Sequence, residues 1–357
     1  MDGTPLVSIV MPAYGVEAYI GKAIACIQAQ TIVYWELIVV DDASPDRSAA
    51  IAEAAAAEDP RITVLHHGQN QGLSGARNTG MAHACGTYLW FCDPDDTYDS
   101  DLLGCAVSAL KRTEAQVAVF GVREEYYNAK GAFQYENVVQ PEPGACLSAE
   151  RVHGRMLQLE RETCYGYAWN KVYDRAFLAS TGATFENVKL IEDITFNVAV
   201  FDHVDRMVVL DRAPYRYARR IDDNLTNKFL PDYFELHERR IQMLFDQQQA
   251  WGTLDDDARA ILGSLYARYV LSALERNFDP RAQMRSADRA KWCERVFSSS
   301  LYNELIPYAQ AEDSRALAEA LKPLQTKDVK RTLQLARVIH IARDKFLPLF
   351  TKIKSGR

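Results

Sequence analysis

Short apolar runs alternate with segments of helical periodicity over residues 1–122. The first run covers 6–11 and ends at Pro12, and a helical pattern follows over 17–29. Further strands are predicted at 36–40, 61–65, 87–91 and 117–122, and further helices at 48–58, at 74–84 with Ser74 as the cap, and at 102–110. Because strands that alternate with helices pair through crossovers, this order predicts an α/β fold with a doubly wound, mostly parallel sheet.

The fourth predicted strand runs directly into three carboxylates, Asp93, Asp95 and Asp96. In an open α/β sheet, ligands bind beyond the carboxyl ends of the strands. Three carboxylates held this close repel one another unless a cation compensates their charge. Mg²⁺ and Mn²⁺ take oxygen ligands and bridge carboxylates to phosphates. The cluster therefore indicates either a metal–diphosphate site or an acidic turn that caps the helix beginning near 99–101.

Two further acidic pairs stand at the ends of predicted elements. Asp41 and Asp42 follow the second strand, in a loop rich in turn and cap residues. Glu192 and Asp193 open a segment with helical periodicity. Since the helix dipole favours carboxylates in the first turn, simple charge capping is the structural alternative to a catalytic role for this pair. His66 and His67 have no partner at metal-ligand spacing, and we interpret them as structural.

Two classes of nucleotide-binding protein are excluded by glycine spacing. Gly68, Gly72 and Gly75 do not match the Gly-x-Gly-x-x-Gly dinucleotide fingerprint and do not follow the first strand. The chain also contains no Gly-x-x-x-x-Gly-Lys-Ser/Thr loop.

The composition is that of a globular protein, and the charge is unevenly distributed along the chain. Apolar residues make up 48% and charged residues 25% of the 357 positions, and the formal net charge of −7 gives no reason to expect nucleic-acid binding. Residues 231–357 have a helical pattern interrupted by prolines. Nine Lys and Arg against two Asp give residues 327–357 a charge of +7, which leaves −14 for the rest of the chain. We therefore predict a helical C-terminal region that ends in a basic segment.

This basic segment is also amphipathic. Its apolar positions recur at helical spacing: Leu335, Val338, Ile339, Ala342, Phe346, Leu349 and Phe350. It is either a helix packed on the protein with a solvated basic face, or an anchor on an anionic membrane. A homodimer interface is a third interpretation.

Seven cysteines without any Cys-x-x-Cys pair indicate reduced core residues of a cytosolic protein. The amino terminus does not have the pattern of a secretory signal, and no apolar stretch is long enough to span a bilayer. We therefore expect a cytoplasmic protein, soluble or peripheral on the inner face of the membrane.

Taken in order, the motifs resemble those of family 2 glycosyltransferases with the GT-A fold. The matching segments are 7–14 (VSIVMPAY), 36–46 (ELIVVDDASPD), 72–80 (GLSGARNTG), 91–96 (FCDPDD), 169–173 (WNKVY), 191–193 (IED) and 215–220 (YRYARR), followed by Thr226. The resemblance covers about 4–230, and it implies a GT-A domain at 1–230 with a nucleotide-binding half at 1–122 and an acceptor-side half at 123–230.

The resemblance also implies a role for each matched residue. The base and ribose would be surrounded by Pro12, Ala13, Tyr14 and Glu17, and would be bound by Asp41 or Asp42. Arg77 would lie near the nucleotide, and Asp96 would lie beside the metal or sugar. Asp95 would bind the metal, and Asp93 would lie near the ribose or donor sugar and also bind the metal. Asp193 would be the general base, with Glu192 as the alternative. The family often has Asn where this chain has Gly15.

The resulting prediction is a metal-assisted, inverting glycosyltransferase. The donor would be a nucleotide-diphospho-sugar, preferably a UDP-sugar, and the acceptor a glycan or lipid-linked saccharide of a bacterial capsule, lipopolysaccharide or exopolysaccharide. A divalent Mn²⁺ or Mg²⁺ would neutralise the leaving diphosphate. The alternatives are a sugar-1-phosphate nucleotidyltransferase and a non-catalytic nucleotide- or glycan-binding protein.

Overall fold

The computed structural model describes residues 4–220, 229–311 and 315–345. The chain divides into two compact units, Met1–Leu225 and Thr226–Arg357. The assignment of nucleotide and acceptor halves within the first domain stays a prediction. The predicted motif residue Thr226, and the tail positions Phe346, Leu349 and Phe350, lie outside the described residues.

Strands and helices alternate in the first unit. The strands are β1 Val7–Ala13, β2 Trp35–Asp41, β3 Ile62–His66, β4 Tyr88–Phe91, β5 Thr97–Tyr98, β6 Val117–Val119, β7 Val122–Tyr127, β8 Phe133–Val139, β9 Gly144–Cys146, β10 Lys171–Asp174, β11 Met207–Val209 and β12 Tyr215–Arg219. The helices are α1 Ile20–Gln28, α2 Ser48–Glu58, α3 Gly72–His83, α4 Leu102–Thr113, α5 Ala149–Arg161, α6 Arg175–Thr181 and α7 Glu192–Phe201.

An eight-stranded sheet with the order β3-β2-β1-β4-β10-β6-β11-β9 forms the centre of this unit. The four strands β3, β2, β1 and β4 are parallel, as predicted. β10 runs antiparallel to both β4 and β6, so the other half of the sheet is mixed. The strand order reverses between β1 and β4, and their carboxyl ends border the crevice in which open α/β sheets bind ligands.

The predicted strand at 117–122 is in fact two strands in different sheets. β6 pairs in the central sheet, whereas β7 pairs with β12 in a second sheet of order β5-β12-β7-β8. A Cβ on Gly121 would lie 2.7 Å from the Val139 carbonyl oxygen, so only glycine fits this close crossing. The sequence pattern could not show this division because the apolar run contains all of β6 and continues to Val122, the first residue of β7.

The ends of two other elements also differ from the sequence-based bounds. β1 continues through Pro12, which lies beyond the part of β1 that pairs with β4. α3 begins at Gly72, and Ser74 donates its hydroxyl to the Glu186 carbonyl instead of capping the helix.

In its described part, the second unit contains six α-helices: α8 Tyr233–Trp251, α9 Asp256–Arg276, α10 Ser286–Phe297, α11 Ser300–Leu305, α12 Arg315–Gln325 and α13 Val329–Lys345. None of the helices in the described residues is both long and apolar enough to cross a membrane. α13 buries Thr332 and Ala336, whereas Val338 is 63% exposed, so the buried stripe differs from the predicted one. All seven cysteines are free.

Candidate active site

One acid from each of two predicted acidic clusters contacts the same buried cation. Arg77 on α3 is 1% exposed, and its guanidinium contacts two carboxylates. Nη2 donates to Asp93 Oδ1 at 3.0 Å, and Nη1 donates to Asp193 Oδ1. The second oxygen of Asp193 accepts the Ala168 amide at 2.9 Å. Arg77 thus joins a carboxylate after β4 to a carboxylate at the start of α7, which lies 116 positions after Arg77 in sequence.

Burial shifts the proton affinity of two acids at this site. Burial and the neighbouring Asp95 raise the pKa of Asp93 to about 6, although the Arg77 charge opposes the shift. Burial and the adjacent Asp193 raise the pKa of Glu192 to about 7. Glu192 Oε2 is buried and accepts no hydrogen bond from the described residues. Groups with shifted pKa values in a crevice are candidates for proton transfer or cation binding.

Asp96 is fixed against the second sheet. Its Oδ1 accepts the Ala218 amide at 2.8 Å and its Oδ2 accepts the Tyr215 hydroxyl at 2.7 Å. The carboxyl is 2% exposed, and burial raises its pKa well above the usual range. Because both oxygens are bound by β12, the geometry favours a positioning role for Asp96 over the predicted contact with metal or sugar.

Asp95 is the most accessible acid of the cluster, with its side chain 41% exposed. Arg220 approaches its carboxylate at 3.7 Å and donates to its carbonyl oxygen at 2.9 Å. The described residues contain no group of three or more His, Cys, Asp or Glu able to hold a metal ion. Mg²⁺ is commonly held by one or two carboxylates with waters and phosphates completing its shell, and Asp93 and Asp95 fit that arrangement. Burial and then the charge of Asp95 raise the pKa of Asp93, and a bound cation would relieve the repulsion between these two carboxylates.

Asp41 and Asp42 have different surroundings at the end of β2. Asp42 accepts the amides of Gln71 and Gly72, both at 2.8 Å, and contacts His67 Nδ1 at 2.6 Å. It therefore shapes the loop that leads into α3. The Asp41 carboxylate accepts the Ser44 amide at 3.3 Å and lies 3.5 Å from His66 Nδ1, and both of these contacts are long. His67 also reaches Thr79, which agrees with the structural role predicted for it.

The loops after β1 and β2 bind each other. The Glu17 amide donates to Asp46 at 3.0 Å, and the Arg47 amide donates back to Glu17 at 2.9 Å. Pro12 and Ala13 are buried in β1, whereas Tyr14 is 53% exposed at the mouth of the crevice. Two of the four predicted base-binding residues therefore end β1, and the other two lie in the loop that follows, which is held by the loop after β2.

Lys171 was not identified from the sequence as a site residue. It is fully buried, and its Nζ donates to the carbonyls of Cys164 and Tyr165 at 2.9 Å, to Tyr167 at 2.5 Å and to Asn170 Oδ1 at 2.8 Å. These bonds fold the 164–168 segment so that Ala168 presents its amide to Asp193. The lysine lies within the 169–173 motif, but nothing in the sequence shows which carbonyls it would meet.

An open α/β sheet with paired carboxylates at its strand-order reversal is typical of the GT-A class of fold. The model of the family described as glycosyl transferase family 2 matches residues 8–180. Residues 8–180, just under half of the chain, therefore form a family 2 glycosyltransferase domain.

Curated relatives and solved structures agree with this family match. The uncharacterized glycosyltransferase EpsJ of Bacillus subtilis (strain 168) is 32% identical over 214 residues, which is 60% of this chain and 61% of EpsJ. The chain thus spans less than two thirds of that relative. WfgD of Escherichia coli, named as a UDP-Glc:alpha-D-GlcNAc-diphosphoundecaprenol beta-1,3-glucosyltransferase, is 36% identical over 105 residues, or 29% of this chain and 41% of WfgD.

Residues 1–349 of S. aureus TarS, solved in complex with UDP-GlcNAc, superpose with a TM-score of 0.63 at 17% identity, covering 95% of this chain and 91% of that one. This likeness confirms the predicted fold.

Proposed function

We propose that this protein transfers a sugar from a nucleotide-diphospho-sugar, preferably a UDP-sugar, to a hydroxyl of a glycan or lipid-linked acceptor, with inversion at the anomeric carbon. The observation that best supports this proposal is the pair of salt bridges made by Arg77. One buried guanidinium contacts both Asp93, the proposed donor-side acid, and Asp193, the proposed acceptor-side acid. The family match and the names of WfgD and of the TarS complex support the donor class.

Asp193 is the proposed general base. Its two anchoring bonds, from Arg77 and from the Ala168 amide, fix the carboxylate orientation. Each carboxylate oxygen has two lone pairs, so the carboxylate can still accept the proton of the attacking hydroxyl. One base is sufficient for a single displacement, which inverts the anomeric carbon, by analogy with inverting glycosidases.

The donor would lie across the carboxyl ends of β1, β2 and β4. Asp41 is the proposed contact to base or ribose, since Asp42 already binds two loop amides. Tyr14, Pro12, Ala13 and Glu17 would line the base pocket. Asp95 and Asp93 would hold Mn²⁺ or Mg²⁺, which would supply charge neutralisation at the leaving diphosphate.

We also propose that the reaction takes place at the cytoplasmic face of a bacterial membrane, in the synthesis of a capsule, lipopolysaccharide or exopolysaccharide. The charge of +7 over 327–357 supports electrostatic attraction to anionic lipid. WfgD is named for an acceptor on a lipid carrier, which supports the same setting.

Nucleotide binding tests the donor assignment. The melting temperature should rise with one of UDP, GDP, CDP or TDP, and rise further with Mn²⁺, because a ligand that binds only the folded state stabilises it. A nucleotide shift that is indifferent to the metal would remove Asp93 and Asp95 as metal ligands. The absence of any shift would contradict the proposed donor class.

Substitution of the base tests the chemistry. Asp193→Asn should lower kcat by about 10²–10⁴-fold, because the amide cannot take the hydroxyl proton, while the nucleotide-dependent thermal shift is retained. The matched control is Asp202→Asn, an exposed acid beyond the other end of α7. Unchanged turnover in Asp193→Asn would exclude this residue as the base.

A further inference from the structure

Aromatic rings continue from the candidate active site along one face of the second sheet. Tyr167 stacks on Trp169 with 4.6 Å between ring centroids, and Trp169 lies 5.5 Å from Tyr217. Arg219 covers Tyr217 at 5.0 Å and approaches Tyr126 at 5.9 Å. Tyr126 then stacks on Tyr135, with centroids 4.5 Å apart and planes within 14°. We call this row, Tyr167–Trp169–Tyr217–Arg219–Tyr126–Tyr135, the aromatic track.

Strand register explains why these side chains share a face. In β12 and β7, Tyr217 pairs with Glu124 and Arg219 pairs with Tyr126. Tyr126 in turn pairs with Tyr135 of β8. Because alternate residues of a strand point to the same side, the paired positions of three neighbouring strands form one continuous surface.

The inner end of the track lies beside the proposed base. Tyr167 and Trp169 flank Ala168, whose amide binds Asp193 at 2.9 Å. Lys171 fixes the same turn by binding the Tyr167 carbonyl at 2.5 Å. The positions of Tyr167 and Trp169 are therefore fixed relative to the Asp193 carboxylate, which would receive the acceptor proton.

The outer end of the track reaches solvent at the edge of the sheet. Trp169 is 4% exposed, whereas Tyr135 on the edge strand β8 is 39% exposed. The Tyr126–Tyr135 stack lies outside the core cluster that contains Trp169. Exposure increases from the buried Trp169 through the half-buried Tyr217 and Tyr126 to the exposed Tyr135, and Tyr167 at the inner end is itself half-buried.

Polar groups with fixed orientation lie beside the rings. Glu124 accepts from Arg219 Nε at 3.0 Å, from Asn137 at 3.0 Å and from the Tyr126 hydroxyl at 3.1 Å. Flat apolar ring faces next to a few oriented polar groups suit a sugar, which has apolar C–H faces and hydroxyls around its rim. The balanced Arg219–Glu124 pair gives no net charge that would attract phosphate or a basic peptide.

We propose that the aromatic track binds the acceptor as an extended glycan of neutral pyranose units, and so presents its terminal hydroxyl to Asp193. This proposal rests on the function proposed above, because it identifies the acceptor class of the same site. It also assigns acceptor recognition to 123–139, a segment without a sequence motif, and to 215–219 within the 215–220 motif.

A glycan array of purified bacterial surface oligosaccharides, with their component monosaccharides, provides the probes. The full-length protein should bind at least one arrayed oligosaccharide and bind it better than its monosaccharides. The variant Tyr126→Ala/Tyr135→Ala should lose this binding by about tenfold, because two stacking faces are removed. The single variant Tyr135→Ala, at the sheet edge, should show part of the loss with its melting temperature preserved.

Val138→Ala is the matched control. Val138 lies on the same strand and is 53% exposed, but it pairs with Arg123 and so faces the opposite side of the sheet. Its glycan binding should equal that of the native protein. A loss as large as that of the tyrosine variants, or native binding in the double variant, would overturn the track, as would the failure of the native protein to bind any arrayed oligosaccharide.

Nucleotide-dependent thermal shifts, measured on the same proteins, separate this proposal from the proposed function. A native nucleotide shift in a variant that has lost glycan binding supports both. A native protein that binds glycan through the tyrosines but shows no nucleotide shift contradicts the transferase and leaves the track.

Discussion

Arg77 is a charged guanidinium enclosed by protein, and its environment is tolerable only because carboxylates compensate its charge. Asp193 and Asp93 raise the pKa of Arg77 above its already high value against the opposing effect of burial. The removal of one partner from a buried ion pair leaves an uncompensated charge in a poorly solvated place. Substitution of Arg77, which organises the site, should therefore also destabilise the protein.

Replacement of Arg77 by an uncharged residue tests this effect on stability. Arg77→Met should lower the free energy of unfolding by about 3–5 kcal/mol, measured by urea denaturation, because Asp93 and Asp193 then repel each other without compensation. Addition of Asp193→Asn should restore part of the loss. The exposed Arg112→Met at the end of α4 serves as control and should change stability by less than about 0.5 kcal/mol. Additive losses in the double variant would contradict the shared role of Arg77.

The raised pKa of Glu192 predicts how turnover depends on pH. Its pKa of about 7 means that the side chain is ionised above pH 7 and becomes protonated as the pH falls through that value. An ionised Glu192 beside Asp193 favours proton uptake from the acceptor, so kcat should fall on the acid side of pH 7.

Glu192→Gln is uncharged at every pH. The variant should therefore lose the acid limb near pH 7, with a plateau about fivefold to tenfold lower because one nearby charge is removed. The exposed Glu150→Gln in the first turn of α5 should keep the native profile. Retention of the limb in Glu192→Gln would assign it to another group.

At the scale of elements, the first half of the central sheet follows from the sequence and the second half does not. Each of β1 to β4 is a short apolar run between helical patterns, and local periodicity is sufficient to identify it. β7 and β8 contain Tyr, Glu, Gln and Arg in place of an apolar run, since one of their faces is open. Their pairing depends on contacts with β12, about ninety positions later in the chain.

The contact of α3 with β1 gives a prediction about one glycine. A Cβ on Gly80 would collide with Val10 Cγ1, because the helix backbone lies directly on the strand. Gly80→Ala should therefore destabilise the protein by about 1–3 kcal/mol, measured as a lower urea midpoint.

Gly154→Ala is the matched control for this contact. Gly154 is also helical, in α5, but a Cβ there would meet nothing within 4 Å. Alanine is the better helix former, so this variant should gain up to about 1 kcal/mol. Equal effects of the two substitutions would contradict the close packing of α3 on β1.

At the scale of the whole molecule, the two units differ in what they contribute. The first contains every predicted site residue, and the second is a helical unit whose buried aromatic and histidine side chains affect stability. His237 on α8 is 8% exposed and stacks on Tyr269 with ring centroids 4.0 Å apart. Burial, with Arg240 and Arg276 nearby, lowers the pKa of His237 to about 3.

This buried histidine should make the protein sensitive to acid. Between about pH 3 and pH 6.5 the unfolded chain binds a proton that the folded chain does not, so stability falls as the pH is lowered, by at most about 1.4 kcal/mol per pH unit from this group. His237→Phe keeps the stacked ring and should give a shallower loss of urea midpoint between pH 6.5 and pH 4.5. The exposed His83→Gln should leave the slope unchanged. An unaltered slope in His237→Phe would show that other groups control acid stability.

The sequence by itself determined the alternation of strands and helices, the parallel first sheet half, the family motifs and the acidic residues that end β4 and begin α7. These follow from local periodicity and from residue types at fixed spacing. Only the tertiary structure decided that Arg77 joins Asp93 to Asp193, that Asp96 is bound by β12, that Lys171 folds the turn at Ala168, and that the tyrosines of three strands share one face. The reason is physical: burial, ion pairing and strand register depend on residues far apart in the chain, and a sequence pattern records only neighbours.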